Sequence, residues 1–186
     1  NTKLRQVSIR TVKKHIPDVG DKLSSDGHSQ KGVISLKMAP EDMPYTLDGM
    51  TPDLLISAHA IPSRMTVAML SAMVCGKVVA LDGQTVDGTA FRDLDMGTIA
   101  ARLRSGGMAG DGTEVMYSGI TGVPFKNRVF IGVITYQALK HLSASKIHSR
   151  ARGPRTLLTR TPVEGRSRNG AFRVSELQTT CLTAQG

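Results

Sequence analysis

Hydrophobic and polar positions alternate near the start of the chain. Within residues 4–14, Val7, Ile9 and Thr11 alternate with Ser8, Arg10 and Val12, which predicts a strand. The Gly-, Asp- and Ser-rich stretch 17–32 predicts a loop, and alternation over 33–38 predicts a second strand. Residues 39–53 carry Pro40, Pro44 and Pro52 and read as loop, followed by a short apolar strand at 54–56. After Pro62 the period changes. Met65, Met69 and Met73, with Leu70 and Val74, recur at helical spacing, and Ser63 offers an N-cap. These methionines read as core filling rather than as a binding surface. A second helix is predicted over 96–104, closed by Gly106-Gly107. Residues 115–117 and 128–134 read as strands flanking the loop 119–126, and a third helix is predicted from about 135 to 148. Strands and helices mix without regular β-α-β alternation. The expected class is therefore α+β, or a barrel with inserted helices, in one domain over 1–186 with no repeat and no linker.

Composition narrows the function classes. The chain has 186 residues, 40% of them hydrophobic, enough for a core and too many for wholesale disorder. Aromatic residues are only 4% and Trp is absent, so stacking on single-stranded bases cannot be the main binding mode. Cys75 and Cys181 form no C-x-x-C pair, zinc spacing or disulfide framework, as expected for a reducing compartment. The longest apolar stretch, 65–81, is broken by Thr66, Ser71, Gly76 and Lys77, so neither a membrane span nor a signal peptide is expected. The chain starts at Asn1 without a Met and stops just after a basic region, and is expected to be a piece of a longer polypeptide.

The net charge of +9 is local. Residues 140–173 hold nine basic side chains (seven Arg and two Lys) against Glu164 alone, which is +8 in 34 residues, whereas the remaining 152 carry only +1. Arg presents a planar fork of donors that fits phosphate oxygens. Gly153-Pro154, Pro162, Gly165 and Gly170 punctuate this tract, so shaped loops that bind a polyanion are expected rather than a uniformly solvated basic face.

Individual residues then stand out. Lys22 and Lys31 bound a Gly-rich turn and can bracket consecutive phosphates, although two solvated loop lysines are the commoner arrangement. No G-x-x-x-x-G-K-[ST] loop occurs. Arg64, placed by the pattern near a helix start, opposes the macrodipole and could complete an anion site there. His148, among four cations at an expected helix end, is read as a neutral donor. Asp93 and Asp95 read as N-terminal capping, because two-metal phosphoryl-transfer sites need about three converging carboxylates. No metal site and no Ser/His/Asp or Cys/His nucleophile arrangement emerges.

Nine motifs in order make these readings specific. They are V-S-I-R-T-V, I-P-D-V-G-D-K, Q-K-G, E-D-M-P-Y-T, G-M-T-P-D-L-L-I, H-A-I-P-S-R-M-T-V, E-V-M-Y-S-G-I-T-G, K-I-H-S-R-A-R-G-P and T-R-T-P-V-E-G-R-S-R-N-G. Together they resemble the second-largest subunit of multi-subunit DNA-dependent RNA polymerase, the counterpart of the bacterial β subunit. The resemblance spans nearly the whole chain and is nearest to the RNA polymerase II type and its relatives in large DNA viruses.

The resemblance implies the hybrid-binding region of that subunit, built around a double-psi β-barrel with inserted helices. Carried over by position, it implies that Lys22 and Lys31 approach the RNA 3′ end and incoming nucleotide, and that Arg64 contacts the triphosphate. It further implies that His148 lies close to the nucleotide and RNA phosphates, that Arg166 and Arg168 lie in a switch-like loop near the DNA–RNA hybrid, and that Gln30, Arg150 and Arg152 also bind nucleotide or nucleic acid. Implied partners are the largest subunit and other polymerase subunits, template DNA, transcript RNA and ribonucleoside triphosphates, with no membrane. Mg2+ is implied in the full enzyme on ligands chiefly from the largest subunit, with none bound by this piece alone, which is expected to be inactive by itself. The implied location is the nucleus, or a viral transcription site or virion. Two departures from the family pattern stand out. The usual G-D-K-F-x-S-R-H-G-Q-K-G is here one residue longer, with Asp26-Gly27 where Arg is usual, and G-E-M-E-R-D-C-x-I-A-H-G appears as S-E-L-Q-T-T-C-L-T-A-Q-G. The competing expectations are a free-standing basic nucleic-acid-binding module and an assembly piece whose basic tract meets an acidic subunit.

Overall fold

Residues Leu23 and Ser24 sit at the centre of the larger sheet. In the computed structural model, which describes residues 6–186, β1 (Lys22–Ser25) pairs antiparallel with β2 (Lys31–Val33) on one side and β5 (Tyr136–Ala138) on the other. The register sets Lys22 opposite Val33, Ser24 opposite both Lys31 and Gln137, and Leu23 opposite Gly32 and Ala138. A second, two-stranded sheet joins β3 (Thr113–Glu114) to β4 (Val129–Phe130). The helices are α1 (Ala60–Ser63), α2 (Ala68–Asp82), α3 (Met96–Ser105) and α4 (Glu176–Gln185). The class is α+β as expected, with small antiparallel sheets and no closed barrel among the described residues. The chain divides into two compact units, one ending at Leu142 and the other Ser143–Gly186.

The core of the first unit lies between α2 and α3. Val74 and Val78 of α2 meet Ile99 and Leu103 of α3, with Val86, Met108 and Phe130 packed around them. Removing such side chains from water favours the packed state by roughly 1.5–3 kcal/mol each. Two glycines let α2 touch the chain that follows β4. A Cβ on Gly76 would fall 2.1 Å from the carbonyl oxygen of Val133, and one on Gly132 would fall 2.6 Å from that of Met73. The Val133 amide donates to the Met73 carbonyl across this contact at 3.2 Å.

Several predicted elements are placed differently. Positions 4–5 lie outside the described residues, and 6–14 form no strand, because no neighbouring segment offers them a ladder; Val7, Ile9 and Val12 are all exposed. The strand expected over 33–38 starts two residues earlier and ends at Val33, and 54–56 is not a strand. The first long helix is broken. Ser63 ends α1 instead of capping α2, its hydroxyl donating to His59 O, and Met65 takes a left-handed φ of +54° with its side chain in solvent. Met69 is fully buried as core filling, while Met65 is not. The helix expected over 135–148 does not form, since β1 has an open edge that recruits residues 136–138 as β5. By contrast, α3 begins at Asp95, whose Oδ1 accepts from Gly97 N at 2.9 Å, and ends at Gly106 as the local pattern predicted. Helix α4 was not predicted, although Ser175-x-x-Gln178 is a capping box at its start.

Candidate functional site

In the first unit, the β1–β2 hairpin carries the candidate lysines. Residues directly opposite in an antiparallel pair point to the same face, so the register puts Lys22 and Lys31 on one face as diagonal neighbours, within about 8 Å at Cβ. The loop between the two strands closes in a tight turn. Ser25 N donates to Gln30 O at 3.1 Å, and Gly27 and Ser29 take positive φ values of +75° and +52°. Just before the hairpin, the buried Asp21 carboxylate accepts from Asp18 N at 3.0 Å and bonds His15 Nε2 at 2.9 Å, fixing where β1 begins. Among the described residues neither Lys22 nor Lys31 forms an ion pair, so both ammonium groups are left for an anion.

Arg64 reaches the same hairpin from 33 residues away. Its Nη1 donates to Gln30 Oε1 at 3.0 Å and also to the Lys31 carbonyl oxygen. Gln30 is 4% exposed, and its Nε2 donates to Ala60 O at 2.9 Å and Thr66 Oγ1 at 3.4 Å. Lys22, Gln30, Lys31 and Arg64 are thus brought together. Arg64 does not occupy a helix N-terminus: it is the C-cap of α1, where a cation is favoured by the carbonyl end of the helix. Its anion-binding capacity therefore comes from its own unspent Nη2 and Nε donors and the two lysines. Ala60 and Thr66 were missed by the sequence reading, and no local pattern could have found them, because they act through Gln30 at separations of 30 and 36 residues.

In the second unit, His148 Nε2 donates to the buried Gly170 carbonyl at 2.6 Å, and its ring lies 5.0 Å from that of Phe172. His148 lies in a loop rather than at the helix end expected for it. A Cβ on Gly170 would meet Val163 O at 2.4 Å, so only glycine lets that carbonyl reach the ring. Arg166 Nε donates to Ile147 O at 2.8 Å, tying the one-turn 3-10 helix Arg166–Arg168 to the segment beside His148. Arg150 turns inward: Nη2 donates to Pro154 O at 3.1 Å, and Nη1 is buried without a hydrogen-bond partner. Arg152 and Arg168 are exposed. Arg150, Arg152 and Arg155 line a cleft of about 390 Å³ together with Pro162 and Phe172. The four arginines thus divide between two that are anchored by backbone carbonyls and two that project into solvent.

Among the described residues no three His, Cys, Asp or Glu side chains gather where they could hold a metal ion. Asp95 is the α3 cap, and no helix there is long and apolar enough to cross a membrane. Both units present cationic donors on short, backbone-braced turns. Such groups stabilise negative charge without forming covalent bonds to it.

The family described as RNA polymerase Rpb2, domain 6, matches residues 1–168. DNA-directed RNA polymerase II subunit RPB2 of Encephalitozoon cuniculi (strain GB-M1) is 45% identical over 184 residues, which is 99% of this chain and 16% of that protein. DNA-directed RNA polymerase II subunit 2 of Arabidopsis thaliana is 45% identical over 183 residues, 98% of this chain and 15% of that protein. DNA-directed RNA polymerase subunit Rpo2 of Saccharolobus shibatae is 44% identical over 184 residues, 99% of this chain and 16% of that protein. The chain spans about one-sixth of the length of these curated relatives. With a match over 168 of its residues and near-complete coverage by subunits of two domains of life, the chain belongs to the RNA polymerase Rpb2, domain 6, family.

Proposed function

We propose that this chain works within the second-largest subunit of a DNA-directed RNA polymerase, where it binds the incoming ribonucleotide and the RNA–DNA hybrid during templated RNA synthesis. The observation that carries the reading is the tethering of Arg64 to Gln30 and to the Lys31 carbonyl, on the hairpin whose register puts Lys22 and Lys31 on one face. Phosphoryl transfer is catalysed mainly by positioning and by stabilising charge on phosphate oxygens, and two hairpin lysines without ion pairs beside an arginine tethered to the same hairpin suit that task. His148, Arg150, Arg152, Arg166 and Arg168 serve the hybrid, with the exposed Arg152 and Arg168 meeting backbone phosphates and the anchored Arg150 and Arg166 shaping the loops.

In this reading residues 1–186 act as one hybrid-binding region, and its two small sheets are this chain's share of a double-psi β-barrel. The wealth of exposed apolar side chains, Val7, Ile9, Leu157, Leu158 and Leu177 among them, favours an assembly over the free-standing binding module, since isolated proteins rarely leave such surface in water. The partners are the largest subunit and the remaining polymerase subunits, with template DNA, transcript RNA and ribonucleoside triphosphates, in the nucleus for an enzyme of the RNA polymerase II type. Mg2+ supplies the charge neutralisation that phosphoryl transfer needs. The carboxylates described here do not converge to fit it, so the proposal leaves its ligands to the largest subunit and routes no step through it.

The test is substitution in the full complex. Lys31→Ala and Arg64→Ala should each slow elongation at sub-saturating nucleotide by about tenfold or more, as expected for loss of a charge-assisted bond to phosphate. Unchanged elongation in both variants would remove the site assignment.

A further inference from the structure

Gln30 occupies an unusual place in this cluster. It adjoins one cation in sequence, Lys31, and bonds a second from 34 residues away, Arg64, yet it is almost fully buried. A primary amide has one acceptor oxygen and two N–H donors. Here Oε1 accepts from Arg64, and Nε2 faces both the Ala60 carbonyl and the Thr66 hydroxyl. Its backbone is equally committed, with N donating to Ser25 Oγ at 3.3 Å and O accepting from Ser25 N at 3.1 Å. Nothing on its donor side remains for a ligand.

We infer that Gln30 is a positioning residue, which holds the Arg64 guanidinium against the Lys31 end of the hairpin so that the Nη2 and Nε donors of Arg64 face the nucleotide phosphates. This rests on the function proposed above and replaces direct nucleotide contact by Gln30 with action through Arg64. The physical need is clear. Arg64 is an exposed side chain at the C-cap of a one-turn helix, and a free arginine has rotamer freedom whose loss binding must overcome. Anchoring Nη1 removes much of that freedom before the nucleotide arrives. The anchor must be neutral: a carboxylate would hold Arg64 as well but would set a negative charge beside the arriving phosphates, whereas an amide oxygen does not. It must also be held rigidly, and the Ala60 and Thr66 bonds do that from the same loop that carries Arg64.

The experiment is a double-mutant cycle in the complete polymerase, reading the nucleotide concentration for half-maximal extension separately from the maximal rate. Gln30→Ala should raise that concentration about tenfold, the loss of one hydrogen bond to a charged group. Because Gln30 acts through Arg64, Gln30→Ala combined with Arg64→Ala should be no worse than Arg64→Ala alone. Gln30→Glu, which keeps an acceptor oxygen for Arg64, should recover part of the loss. Full additivity of the two substitutions, or a Gln30→Ala enzyme with unchanged nucleotide dependence beside an impaired Arg64→Ala enzyme, would overturn the inference and leave the proposed function standing. A silent Arg64→Ala would overturn both. Should Gln30→Ala fail to assemble, Gln30→Met fills the same space without the acceptor and carries the same cycle.

Discussion

Lys22 and Lys31 share one face of the β1–β2 hairpin, because Lys31 stands opposite Ser24, two residues along the strand from Lys22. Two ammonium groups so placed can meet adjacent phosphates of one strand. Each Lys→Ala substitution should lower the slope of log affinity for the nucleic-acid scaffold against log salt by about one, and the pair by about two. Binding of the assembled enzyme to an RNA–DNA scaffold between low and moderate salt checks this. An unchanged slope would mean that neither lysine meets a phosphate.

Gly76→Ala should be among the most damaging single changes in the first unit. The added methyl would sit against the Val133 carbonyl, a backbone atom that cannot swing aside, and α2 would be pushed from the segment after β4. A loss on the order of 3 kcal/mol is expected from such overpacking. Gly83→Ala is the control, because it meets no neighbour, although its φ of +70° still costs about 1 kcal/mol. Guanidinium unfolding followed by circular dichroism ranks the two.

Lys77 is 4% exposed and donates to Glu114 Oε1 at 2.5 Å, joining α2 to β3. Lys77→Ala leaves the partly buried Glu114 carboxylate without its partner and should destabilise by about 3 kcal/mol. Lys77→Met with Glu114→Gln removes both charges while keeping volume and should recover most of that loss. The midpoints of the same unfolding transition measure it.

The cap of α3 should be pH-sensitive. The Thr98 hydroxyl, then the Thr98 and Gly97 amides, hold the Asp95 carboxyl below its ordinary value of 3.8. A depressed native value means that the unfolded form binds the proton first as pH falls. The cap therefore contributes fully above about pH 4 and is lost as pH drops through the native value. Hydrogen-exchange protection at Gly97 and Thr98 should fall on acidification in the natural chain. In Asp95→Asn, which caps without titrating, it should stay level.

Helix α3 was legible from local signals. Asp95 before the helix and Gly106 after it satisfy terminal backbone groups with residues only a few positions away, and Ile99 and Leu103 supply the buried face. The same kind of signal, Ser175-x-x-Gln178, marks α4 and needed only to be weighed. The segment 135–148 was misread because its composition tolerates a helix, whereas an open strand edge 111 or more residues earlier decided that Tyr136–Ala138 would be β5.

The candidate site divides in the same way. The ordered motifs of the sequence singled out Lys22, Gln30, Lys31 and Arg64, and the dense Arg tract marked 140–173 as cationic. Only the tertiary structure decided that Lys22 and Lys31 share a face, that Arg64 ends a helical turn instead of starting one, and that Gln30 tethers Arg64 to the hairpin. The reason is range. Residue identity and nearby caps act over a few positions and can be read along the chain. Register across a hairpin and a hydrogen bond between residues 34 apart arise only when folding closes the loop between them.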